Sequence, residues 1–513
     1  MSQALVFPLA YGVLGLGLFC PRSSAQTLPD ASLGAEASVL MLEAGGEVIS
    51  GGAVRDGGLF HSFEQLNVGE GRSLYFANPD GIGQIFSRVT GNGRSEILGT
   101  LGVLGNADLF LLNPNGIVFG PNARLDLSGS FVASTAESLQ VSGFEFGTIS
   151  PLPPPPLLRL NTPIGLQLGQ NPGSIVHHST ADGVGLSVQP GQMLALIGGD
   201  LDLAGGALTV ADGRIELGSL HNGTVGLTNT QSGWQFAYPI GGDAAVETGE
   251  GLNRGRISLG EQAQVTVNGV AGNSASGIHL WGGEIRLEGR SQLLSDNRSA
   301  GTGAAIRLDG QRLILGGGSQ VTAQTWGSGG GGDILANLSD SIHLTSAQAD
   351  GSIGNGSHIL AATLGAGDAG DIHLQTRRFL NEYDSFVNNQ AAVLSRGNGG
   401  SITLQAAESV LGRFYSPLTG QGGRIQVATQ GSGNAGDLRL TTDRLQLIDN
   451  HVLSSVSWLA GNGGDIRVEA QSAMLAGLSP LIPQFSSTIQ SVTYGTGRGG
   501  RFVPGDPGSD AAG

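Results

Sequence analysis

Lysine is missing from this sequence altogether, so all 25 basic side chains are arginines, standing singly apart from the pair Arg377-Arg378. Against 41 acidic residues they leave a formal net charge of -16. Nucleic-acid binding draws on clustered cations that release counterions from phosphates, and no such cluster exists here. The same lack excludes a polybasic membrane-binding segment. Cysteine is confined to Cys20, which leaves no partner for an internal disulfide and, beyond that point, no cysteine nucleophile or cysteine-based metal site. Aromatics make up 5% of the chain and charged residues 13%, too few large side chains for a thick globular core. Runs with a 3.6-residue period are almost absent.

Enzyme chemistry is equally sparse. The nine histidines contain one adjacent pair, His177-His178, and no His-x-x-x-His or His-Glu-x-x-His spacing for zinc, so they are expected at the surface or in turns. Polysaccharide-degrading enzymes built on repetitive β-folds need grouped carboxylates, or basic residues beside a metal, on one exposed sheet. This chain has no Asp-Asp pair and no lysine to serve as a base. The Gly-Asp pairs differ in register from calcium-binding Gly-Gly-x-Gly-x-Asp nonapeptides. No catalytic residue, metal or cofactor is assigned.

What the sequence does have is glycine, 89 residues of it. Residues 4–19 form an apolar run, followed by Pro21 and a polar stretch with small residues at Ser23 and Ala25. This pattern reads as a signal peptide over residues 1–25, cleaved after Ala25, and too short to span a bilayer. Beyond it come short alternating runs such as Gly277-Ile-His-Leu280, Glu284-Ile-Arg-Leu287 and Asp371-Ile-His-Leu374. Alternation of this kind predicts half-buried strands with aliphatic residues inward and polar ones outward.

A longer period emerges when the glycine-rich knots are aligned, from Gly301-Thr-Gly-Ala-Ala-Ile306 through Gly329-Gly-Gly-Gly-Asp-Ile334, Gly367-Asp-Ala-Gly-Asp-Ile372 and Gly461-Asn-Gly-Gly-Asp-Ile466 to Gly497-Arg-Gly-Gly-Arg-Phe502. Successive knots are 28, 38, 30, 36, 28 and 36 residues apart, so alternate pairs total about 66, which three coils of about 22 residues fit. The pattern predicts an all-β fold: a right-handed parallel β-helix with an N-terminal cap and Gly-rich coils. With about 4.8 Å per coil, the rod is expected to be on the order of 100 Å long. Glycine in the knots is expected to supply positive φ at corners, and Asn or Asp to bond neighbouring backbone there. Pro151 to Pro156 includes five prolines and cannot pair inside a sheet, which predicts an exposed loop or linker over 151–162. The shaft is expected to occupy 163–500, and a disordered tail 501–513.

Residues 74 to 135, with Arg88-Val-Thr-Gly91, Ser95-Glu-Ile-Leu-Gly99 and Asn113-Pro-Asn-Gly-Ile117, closely resemble the secretion domain of filamentous haemagglutinin and related two-partner-secretion proteins. Pro163-Ile-Gly-Leu-Gln-Leu-Gly169, Pro190 to Gly199 and Gly213-Arg-Ile-Glu-Leu-Gly218 are similar to the version common in cyanobacteria. The resemblance spans residues 30–220 and places the secretion (haemagglutination activity) domain at 26–150. It departs from the family at Asp80 in Asn78-Pro-Asp-Gly-Ile82 and at Gly91-Asn-Gly-Arg94. It implies export from a Gram-negative periplasm through an Omp85-family, TpsB-type outer-membrane barrel, followed by folding outside the cell. The family's secretion motif falls on Asn113, Pro114, Asn115, Gly116 and Ile117, and its upstream companion on Asn78, Pro79, Arg88, Thr90 and Gly91. An adhesin acting on a host cell, glycan or matrix ligand is the expected role. A β-helix polysaccharide-degrading enzyme, a structural component of an extracellular layer and a truncated passenger are the alternatives.

Overall fold

The computed structural model describes residues 26–43, 45–141, 143–149, 151–155, 164–230, 233–239, 253–269, 276–348, 351–478 and 486–504. Segment 1–25, with the expected signal peptide and Cys20, lies outside them, as do 156–163 and 505–513.

The alternating runs wind into a right-handed parallel β-helix. One unbroken ladder runs through the molecule along Leu59, Ile85, Leu109, Phe131, Leu194, Ile215, Ile278, Ile306, Ile334, Ile372, Ile402, Leu438, Ile466 and Phe502, each residue paired in parallel with the next. Three faces surround a continuous apolar interior. From Gly277 onward one 11- or 12-residue strand per coil bends across two faces, and a six-residue strand such as Gln292–Asn297 forms the third. Within each strand the inward side chains are sealed, as with Ile278, Leu280, Ile285 and Leu287, while His279 and Arg286 face outward. Each such aliphatic side chain contributes roughly 1.5–3 kcal/mol by leaving water.

The coils are longer than the sequence period implied. Ile306 pairs with Ile334, Ile334 with Ile372, and Ile372 with Ile402, so each knot-to-knot interval is one coil and each pair totalling about 66 holds two coils. Alternate coils carry an extra loop at the same corner, over residues 345–357 and 414–423, and the intervening coils turn tightly there. Turns near 22 residues occur in the N-terminal part, as between Leu109 and Phe131. The fourteen stacked positions therefore span about 60 Å at 4.8 Å per rung, not 100 Å.

Knot glycines have a different reason from the one expected. None of those at 329, 367, 397, 433, 461 and 497 has positive φ. Instead each carries its Cα hydrogens against the previous coil: a Cβ on Gly367 would overlap the carbonyl oxygen of Gly329, and one on Gly397 that of Gly367. A second column, Gly332, Gly370, Gly400, Gly436, Gly464 and Gly500, stacks in the same way. The polar knot residues act as anticipated. Asp333 accepts the backbone N–H of Asp371 at 2.8 Å, Asp371 that of Ser401 at 2.7 Å and Asp437 that of Asp465 at 2.9 Å. A parallel column runs from Asp368 through Asn398, Asn434 and Asn462 to Arg498.

The N-terminal end is closed by the antiparallel hairpin Ser38–Glu43 and Gly46–Gly51, whose second strand joins the third face beside Ser73–Ala77. An antiparallel sheet outside the coil, from Ser138–Val141, Phe144–Gly147, Ile164–Leu168, Gly223–Thr230 and Gly233–Ala237, covers the first face. Between them lies a second apolar core in which Phe60, Phe86, Phe110 and Trp234 follow one another at 5.1 Å. The proline stretch is docked: Arg55 donates to the carbonyls of Pro154 and Pro155 at 2.9 Å. Phe502–Pro504, expected within a tail, pairs with Ile466–Val468 as the last rung.

Candidate functional site

Asn113 ends the strand Asp108–Leu112, and Pro114 with its fixed φ suits the first corner of the turn that follows. The turn closes through Gly116 N–H donating to Asn113 O at 3.1 Å. Gly116 adopts φ +117°, and Ile117 returns the chain to the second face, fully buried against Ser95 and Ile175. Asn113 is itself 0% exposed. Its Nδ2 donates to Gly93 O and Ser95 Oγ, both at 3.0 Å, and its Oδ1 accepts Asn115 N–H at 3.0 Å. Asn115 stands exposed, with Nδ2 donating to Gly91 O at 2.8 Å. The two asparagines thus tie the Gly91–Gly93 loop to the turn. A Cβ on Gly91 would overlap Glu64 O, so only glycine fits.

One coil earlier, Arg88 and Thr90 join a polar cluster beneath the cap. Arg88 is fully buried; it donates from Nε to Ser62 Oγ at 3.0 Å, from Nη2 to Ser32 Oγ at 3.0 Å and from Nη1 to Leu152 O at 3.1 Å, over the ring of Phe146 at 4.0 Å. Burial pulls its guanidinium down to about 10, opposed by Asp30. Asp30 accepts Thr90 Oγ1 at 2.6 Å and Ser62 Oγ at 2.8 Å. Burial would raise its carboxyl; bonds from Ser32, Thr90 and Ser62 outweigh that and hold it below the ordinary range.

Asn78 and Pro79 lie apart from this group, after the third-face strand Ser73–Ala77. Pro79 O accepts Ile82 N–H at 3.2 Å and Gly81 takes φ +83°. Of the ten predicted residues, the structure gathers Thr90, Gly91, Arg88 and Asn113 to Ile117 along one flank of the first coils, and leaves Asn78 and Pro79 at another corner.

A second polar site escaped the sequence reading. Glu216, 0% exposed, accepts from Tyr238 Oη at 2.8 Å, pairs with Arg214 at 2.7 Å and faces His279 Nδ1 at 2.7 Å; His279 Nε2 faces Asp309 at 3.0 Å. Tyr238 stacks on Trp281 at 4.6 Å. Burial alone would lower His279, but Glu216 and Asp309 carry it up to about 9. The cluster clamps the end of the covering sheet to three successive coils. Nor are the histidines confined to the surface and turns: His61 and His177 are buried within strands, while His451 is buried in a turn. Among the described residues no group of three or more His, Cys, Asp or Glu is arranged for a metal.

The Asn-Pro-Asn-Gly turn thus forms a corner of the first coils, with Asn113 sealed and Asn115 exposed. Residues 25–273, just under half of the chain, match the TPS secretion domain family, and this N-terminal part is a TpsA-like secretion domain. Over 83 residues the chain is 32% identical to the heme/hemopexin-binding protein of Haemophilus influenzae strain Rd, covering 16% of this chain and 8% of that protein's length. Two solved structures are similar in outline. The secretion domain of HMW1 from Haemophilus influenzae is 14% identical with a TM-score of 0.44, covering 91% of this chain and 97% of its own. The filamentous hemagglutinin secretion domain is 15% identical with a TM-score of 0.30, covering 62% and 92%.

Proposed function

We propose that this protein is an adhesin delivered to the outside of a Gram-negative cell by an Omp85-family, TpsB-type barrel, which reads Asn113 to Ile117 and the companion residues Asn78, Pro79, Arg88, Thr90 and Gly91 before the first coils close. The observation that carries the reading is the complete burial of Asn113 and Arg88. Side chains sealed in the folded coil are available to a transporter only while the segment is extended. Recognition therefore precedes folding, and the 26–150 segment folds as it emerges, with each later coil templated on the last. Residues 1–25 act as the signal peptide that takes the chain to the periplasm. The shaft beyond residue 273 serves as the presenting surface, and the protein acts by binding, without catalysis.

Secretion of the intact chain and of a form lacking residues 74–135 is compared in cells with and without the partner barrel. Export that needs the barrel and is lost on deletion is expected; export of both forms, or of neither, contradicts the proposal. Asn113→Ala with Asn115→Ala reduces the amount outside the cell, and unchanged export removes the role given to those two residues.

A further inference from the structure

On the third face, outward positions stack in register through Gln292, Gln320, His358, Phe386 and Arg424. They floor a groove of about 490 Å³ that runs along the rod. Its lining is mainly polar, and side-chain amides are the commonest group in it. Amides both donate and accept, which matches hydroxyl groups.

Arg424 is the exceptional member. Its guanidinium lies 4.6 Å over the ring of Phe386, which stacks on His358 at 4.6 Å and 3°. Its Nε is buried and without a hydrogen-bond partner, and among the described residues no carboxylate forms an ion pair with it. The neighbouring Asp384 is occupied by Ser346 Oγ at 2.7 Å and Thr419 Oγ1 at 3.2 Å. The half-buried guanidinium has one unsatisfied N–H and feels the charge of Asp384 without pairing with it, and its planar fork fits a carboxylate. Rungs repeat at about 4.8 Å, close to the rise of an extended glycan per sugar, so successive side chains meet successive sugars.

We propose that this groove binds a carboxylate-bearing oligosaccharide, a chain of uronic-acid sugars lying along the rod with one carboxylate on Arg424 and its hydroxyls on the amides of Gln292 and Gln320. The inference rests on the adhesin reading and supplies its ligand class.

The full-length exported protein is titrated calorimetrically with an octasaccharide of guluronate, with its carboxyl-reduced counterpart, and with a neutral glucan octasaccharide. The guluronate chain is expected to bind, with at least tenfold loss in Arg424→Gln, in Gln292→Ala with Gln320→Ala, and on carboxyl reduction. Circular dichroism of each variant checks that it is folded. No binding of the guluronate chain, equal binding of the reduced chain, or full binding by folded Arg424→Gln each overturns the proposal. Attachment to cells that persists in Arg424→Gln leaves the adhesin reading standing while this groove fails; loss of attachment by the intact protein removes the reading itself.

Discussion

At the scale of single residues, the first coils depend on polar groups that have no access to water. Arg88 has its three donor nitrogens committed to Ser62, Ser32 and Leu152 O, and Asp30 supplies the balancing charge. Replacing Arg88 by Met keeps the bulk and strips the donors, leaving Ser62 and Leu152 O without them and the half-buried Asp30 without its compensating cation. The expected cost is about 3 kcal/mol, read as a lowered urea midpoint of the folded, exported protein; a loss under about 1 kcal/mol contradicts this account of the cluster. The turn at Asn113 to Gly116 was legible in the sequence because Asn-Pro-Asn-Gly is a turn signal wherever it occurs, whereas the secretion role of the motif residues came from the family resemblance alone. Arg88's contact with Leu152 was not, since 64 residues separate them and only the coiling brings them together. The Glu216 cluster was hidden for the same reason: its members at 214, 216, 238, 279 and 309 meet through stacking and through an antiparallel excursion that no local pattern announces.

At the scale of elements, the glycine columns decide whether coils can stack. Gly330 and Gly367 both sit in knots, yet a Cβ on Gly330 meets nothing within 4 Å while one on Gly367 would collide with Gly329 O. Gly330→Ala is therefore expected to leave stability within about 0.5 kcal/mol of the parent, and Gly367→Ala to destabilise by several kcal/mol or to prevent folding past that coil. Thermal denaturation of the pair separates close approach from backbone freedom as the reason for glycine; equal behaviour sinks the stacking explanation. The knot spacing carried the repeat correctly, but not the number of coils. Alternate loops at residues 345–357 and 414–423 lengthen every second coil, and such loops have no strand signature to subtract. The strands of the covering sheet, for example Ser138–Val141 and Ile164–Leu168, alternate as the coil strands do, so sequence alone did not separate them from the helix. Strands such as Gln84–Val89 and Met193–Gly198 are buried on both faces because that sheet lies on them.

At the scale of the whole molecule, opposing histidines set the pH range of stability. Burial drives His61 down to about 3 and His177, His358 and His451 to about 4. In the unfolded chain each titrates near 6.5, so the unfolded state gains protons first and stability falls as pH drops from about 6.5 toward 4. His279 is the reverse case. Raised to about 9, it contributes fully below about 6.5, and that contribution is lost as pH climbs through 9. Stability is expected to peak near pH 6.5, and His279→Gln to flatten the alkaline side between pH 7 and 9 while leaving the acid side unchanged. Denaturant midpoints measured across pH test both limbs; an alkaline limb identical in His279→Gln contradicts the assigned role of the Glu216–His279–Asp309 cluster.

The export claim is tested most directly by fusing a reporter to residues 1–273 and, separately, the signal peptide and reporter to residues 277–513, in cells with and without the partner barrel. The account predicts that the reporter reaches the medium with the first fusion alone, and only when the barrel is present. Export of the second fusion, or retention of the first in the presence of the barrel, would contradict it.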